Sequence, residues 1–166
     1  MKNNITQILV VALLSIAVII GGTSVTTPGQ DGPGQDRTLE GTWTTLVIRR
    51  DCQTGEQVGN FQGVLTFARG GTLVGDSSAA GPATKSASYG VWRRTKGWNE
   101  YEFGFVFFLF NPDGTLFGRQ VVRQSATLSE DGQSFTTTGT FQVYNAAGAP
   151  VGPARCATST GTRFEL

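Results

Sequence analysis

The chain has 166 residues, 13 Lys and Arg against 12 Asp and Glu, two cysteines and no histidine. Its interspersed, near-neutral charge gives no nucleic-acid footprint and no patch for an anionic membrane. Lacking histidine and a third cysteine, it offers neither a metal-ligand set nor the commonest general base near neutral pH.

Lys2, an apolar run from Ile8 to Ile20 broken only by Ser15, and then Gly21, Gly22, Thr23 and Ser24 have the layout of an export signal. The apolar core, about 13 residues, is shorter than the roughly 20 that a spanning helix needs. Residues 1–24 are therefore expected to be a signal peptide, cut near Gly22 to Thr26; left uncut, the run is a membrane anchor. The tandem Pro28-Gly29-Gln30-Asp31-Gly32 and Pro33-Gly34-Gln35-Asp36-Arg37 reads as a flexible spacer over 25–38. Residues 39–166 form one domain of ordinary size, expected in a secreted or periplasmic compartment with no membrane contact after cleavage.

Turn signals punctuate this domain: Gln53-Thr54-Gly55, Arg69-Gly70-Gly71, Lys96-Gly97, Asp113-Gly114, Asp131-Gly132 and Ala147-Gly148. Between them lie β-branched and aromatic runs, predicted as strands over 41–50, 61–68, 71–77, 86–94, 100–110, 116–129, 134–145 and 151–164. No segment carries a helical period. The fold class is all-β. An even number of strands in an up-and-down meander sets the first antiparallel to the last, and pairing Trp43 with Arg163 then places Cys52 within one diagonal step of Cys156. A sheet whose first and last strands pair is a closed barrel, here of eight strands. Two cysteines in an exported chain are expected to form a disulfide, closing a loop of roughly 100 residues, with two buried free thiols as the alternative.

Two-residue turns at Asp113-Gly114 and Asp131-Gly132 set mutually consistent registers, with Phe105 opposite Val122, Leu128 opposite Phe135 and Val122 opposite Phe141. They gather Tyr101, Phe103, Phe105, Phe107, Leu109, Val122, Leu128, Phe135 and Phe141 on the interior with Gln120, Gln124 and Thr137. A one-residue bulge reverses half of that assignment. Val106, Phe108, Phe110, Phe117 and Val121 fall on the outer face, marking either a homo-oligomer contact or a phase error in a strand that is apolar on both sides.

Gly41-Thr42-Trp43 at the start and Arg163 at the end resemble the calycin group of barrels, which includes lipocalins, fatty-acid-binding proteins and avidins. The resemblance implies that Arg163 stacks over Trp43 at the closed end, a structural role for both. Neither a helix after the barrel nor a helical lid between the first strands is present in the pattern, and biotin binding is not carried over because the polar set of a biotin site is not placed in this sequence. Thr66-Phe67, Gly90-Val91-Trp92 and the Cys156 to Phe164 tail look like uncharacterised exported bacterial lipocalin-like proteins, a similarity that brings no activity with it.

No nucleophile elbow or phosphate-binding loop occurs, and the carboxylates fall in turns or at strand ends. No catalytic residue, metal or cofactor is expected. The reading that best fits is an exported, non-catalytic barrel that binds a small hydrophobic or amphipathic ligand. Trp92, Phe103, Phe105 and Phe141 are its expected walls, with Gln120, Gln124 and Arg163 as polar contacts. The alternatives are a packed barrel serving as a structural or interaction module and, behind it, a barrel isomerase or cyclase that acts by shape.

Overall fold

The computed structural model describes residues 37–166; the expected signal peptide and all but the last two residues of the expected spacer lie outside the described residues. Eight strands follow in chain order: β1 (Gly41–Arg50), β2 (Gln57–Ala68), β3 (Thr72–Ser77), β4 (Ser88–Lys96), β5 (Glu100–Phe110), β6 (Leu116–Leu128), β7 (Ser134–Asn145) and β8 (Arg155–Arg163). Each pairs antiparallel with its neighbour in sequence, and β8 returns to β1 to close the barrel. Trp43 faces Arg163 in that closing ladder, and Arg50 faces Cys156. Cys52, just past the end of β1, bonds to Cys156 across a Cα–Cα distance of 5.2 Å.

The interior registers hold: Phe105 pairs with Val122, and Leu128 and Val122 pair with Phe135 and Phe141. The turns that set them differ from the expected two-residue form, because only the glycines take positive φ. A tight type I′ turn needs positive φ at both central residues, and Asp113 and Asp131 keep negative φ. The β5–β6 hairpin instead uses a three-residue loop, Pro112 to Gly114, closed by Asn111 N–H donating to the Thr115 carbonyl at 2.8 Å. A bulge between Leu109 and Phe110 then restores the expected pairing for the rest of β5. The two departures cancel, so no side chain changes face. The limits of three strands also move. β2 begins at Gln57 rather than at 61, since the polar Gln57 to Asn60 stretch still ladders with the end of β1. β4 runs from Ser88 to Lys96, later than expected at both ends. β8 begins only at Arg155, after a Pro- and Gly-containing loop.

One end of the barrel is filled. Leu39, Trp43, Phe67, Leu73, Tyr101, Leu128 and Phe135 are buried to 2% exposure or less. The Trp43 ring meets Phe135 edge-on at 5.0 Å, and Phe67 meets Phe103 at 5.2 Å. Arg163 seals this end. Its guanidinium lies 4.3 Å above the Trp43 ring and donates to the carbonyls of Thr38 and Glu40 at 2.8 Å and of Gly132 at 3.0 Å. The Trp43 indole N–H donates to the Leu39 carbonyl at 3.0 Å, drawing the segment before β1 under the barrel. Gly41 is required here twice over. Its φ is 121°, and a Cβ would lie 2.7 Å from the Arg163 guanidinium. Among the described residues no helix is long and apolar enough to cross a membrane.

Candidate functional site

Above the filled layer the barrel interior opens into a cavity of about 230 Å³. It lies toward the ends of β1, β3, β5 and β7 and the starts of β2, β6 and β8, the end that also carries the disulfide. The period-two alternation of β5 sends Phe103, Phe105, Phe107 and Leu109 into it; the three phenylalanine rings stack up the strand, with successive centroids 6.3 and 6.5 Å apart. Phe61, Val122 and Phe141 complete the apolar wall. Polar positions are few. Thr45, Ser88, Gln120, Gln124 and Ser159 line the cavity, while Arg49, Asp76, Ser77 and Lys85 lie toward its mouth.

Gln124 is 8% exposed, and its Oε1 is buried with no hydrogen-bond partner among the described residues. A buried amide oxygen left unpaired costs free energy until something donates to it. A packed interior would need Thr137 or backbone groups to bond the glutamines. Thr137 is engaged elsewhere: its hydroxyl shares a 2.6 Å bond with the Ser159 hydroxyl and accepts the Ser159 N–H at 3.1 Å.

Sequence reasoning missed Lys85. It sits in the loop from Ser78 to Ala87, which crosses the mouth because β3 and β4 pair only from Thr72–Val91 to Gly75–Ser88. The loop is stitched to β5 by Ser86 N–H donating to the Phe108 carbonyl at 3.0 Å and Phe110 N–H donating to the Thr84 carbonyl at 2.9 Å. Lys85 points inward with its side chain 3% exposed and forms an ion pair with Asp76. Its ammonium also donates to the Ser86 carbonyl at 3.2 Å and lies 5.5 Å from the Phe107 ring centroid. The Lys85 hydrogen bond, helped by the Ser77 backbone N–H, holds the Asp76 carboxyl below its ordinary pKa. A polar, Gly- and Pro-containing loop reads as solvated; only its return to β5, a tertiary fact, turns the lysine in.

Of the expected ligand contacts, Phe103, Phe105, Gln120, Gln124 and Phe141 come together on the cavity. Trp92 and Arg163 do not. Trp92 packs against Phe67 and Tyr101 at 6.0 and 5.8 Å and donates its indole N–H to the Ala68 carbonyl, at the filled end. Arg163 stacks on Trp43 and bonds to the carbonyls of Thr38, Glu40 and Gly132, so both residues lie at the filled end and not on the cavity. The other carboxylates serve locally. Asp51, Asp113 and Asp131 accept hydrogen bonds within their own turns, which lower their pKa values, and Glu102 pairs outward with Arg93 at 2.8 Å.

On the outer wall, Phe108 and Phe117 are 51% and 39% exposed, while Val106, Phe110 and Val121 are half-buried. Tyr89 pairs with Val106 and is itself exposed, extending the apolar surface onto β4. The chain matches no protein-family model, and no curated protein is significantly similar to it.

Proposed function

We propose that this is a calycin-like binding barrel, non-catalytic and exported, that holds a small hydrophobic or amphipathic compound in its interior. The observation that carries the reading is the 230 Å³ cavity walled by phenylalanines, with the unpartnered Gln124 oxygen beside it. Apolar walls with a few orienting polar groups describe a ligand site. Aromatic walls give large contact area at low conformational cost. The disulfide fits an oxidising, extracytoplasmic compartment. The outer apolar face around Phe108, Phe117 and Val121 supports self-association of the barrel as a second, separate property.

The test is native mass spectrometry of the purified full chain, paired with titration of an environment-sensitive anilinonaphthalene dye. A co-purified compound, or saturable one-to-one dye binding weakened by Phe105→Ala, is the expected result. No adduct and no dye binding would leave the packed interaction module as the better account.

A further inference from the structure

Lys85 is the feature that a generic apolar pocket does not explain. Placing an ammonium at 3% side-chain exposure is costly, and a buried ion pair is often no better for stability than packed apolar side chains of the same size. Its counterion lies mostly outside. Both residues line the cavity, but the Asp76 side chain is 70% exposed, with its charge largely in water, while the ammonium is buried. An ammonium has three N–H donors. Among the described residues, Asp76 and the Ser86 carbonyl take two, and one remains.

Arg49 adds a second cation at the same mouth. Its guanidinium lies alongside Gly59, filling the space that a side chain there would occupy, with Nη2 2.7 Å from the position of a Cβ. The lining thus carries two cations and one carboxylate, and that carboxylate already accepts from Lys85 and from the Ser77 N–H. Such a mouth favours an anion and opposes a cation.

Volume fixes the size. A dry cavity of about 150 Å³ takes benzene, and pockets for drug-sized ligands begin at about 300 Å³. The 230 Å³ here lies between them and is too small for a long-chain lipid.

We infer, building on the binding reading above, that the ligand is a small organic acid of roughly ten non-hydrogen atoms. Its aromatic or short aliphatic body lies among Phe103, Phe105 and Phe141, and its carboxylate reaches Lys85 and Arg49 at the mouth. Isothermal titration of the purified full chain with phenylacetate, 2-phenylethanol and palmitate tests this. The acid and the alcohol share a body and differ in charge, and palmitate tests size. Phenylacetate is expected to bind about tenfold tighter than the alcohol, one step on the affinity scale. In Lys85→Met that preference is expected to fall to within about threefold, with Asp76 left solvated rather than buried. Equal binding of acid and alcohol, or tighter binding of palmitate, overturns the small-acid assignment while the binding barrel stands. A preference retained in Lys85→Met overturns the role given to Lys85. Failure of all three probes together with the dye overturns both readings. Should Lys85→Met fail to fold, the acid-to-alcohol ratio of the unmodified protein decides alone.

Discussion

Replacing Arg163 with methionine keeps the length of the side chain and removes its charge and fork. Three backbone carbonyls, those of Thr38, Glu40 and Gly132, then lose a charged donor. A hydrogen bond to a charged group contributes about 1.5–3 kcal/mol. These three bonds are only part-buried, so water recovers roughly half of the lower-end total, leaving about 2–3 kcal/mol. Loss of the contact with the Trp43 ring at 4.3 Å adds about 1 kcal/mol. The sum, about 3–4 kcal/mol, is a large share of the roughly 5–15 kcal/mol by which domains are stable. With a urea slope of about 2 kcal/mol per molar, the unfolding midpoint should fall by about 1.5–2 M. Tryptophan fluorescence is a suitable probe because Trp43 is fully buried. Arg163→Lys should recover no more than about half of the loss, since a lysine cannot fork to several carbonyls. A methionine variant within about 0.5 kcal/mol of the parent, the range of an ordinary surface change, would refute the claim that this residue seals the barrel.

Reduction of the Cys52–Cys156 bond reopens a loop spanning 104 residues and should lower stability by up to about 4–5 kcal/mol in the chain-entropy account. Peptide mapping without reductant checks the bridge itself, and two free thiols in the purified protein would contradict it. Acid gives a separate signature at Asp76. Its folded pKa is depressed by Lys85, so its contribution is complete above the ordinary aspartate value of about 3.9 and is lost as pH falls through the folded value. Urea midpoints taken from pH 5 downward should therefore drop more steeply in the parent than in Asp76→Asn, which retains the other turn aspartates; parallel slopes would remove the pair from the acid response.

The pattern of residues carried the in-or-out assignment further than it carried height along the barrel axis. Alternation in β5 and β6 places Phe105, Gln120 and Val122 inside whatever the tilt, because side chains switch face at every residue. Nothing in that alternation tells how far up the barrel a given interior residue sits. Trp92 and Arg163 point inward, as the pattern implies, and lie in the filled layer rather than at the cavity. The closing pair Trp43–Arg163 was legible because two end motifs had to meet in one register. Lys85 was not, because its burial depends on where the Ser78–Ala87 loop docks and not on any local period. The turns were legible as positions but not as types. Asp-Gly marks a reversal, whereas the length of the loop follows from which residues accept positive φ.

The ladder between β1 and β8 joins the two ends of the domain, with Trp43 and Arg163 among its pairs. Every other ladder joins consecutive strands and can form as soon as its hairpin exists. During synthesis, β1 must therefore wait for the whole meander before its second edge is covered, and closing so long a loop is slow. Until then the sheet has two raw edges open to other chains. The disulfide bridges the same two strands at the other end of their ladder, so oxidation can lock the cylinder only after the last strand has arrived. Biogenesis of this barrel is thus gated at its seam.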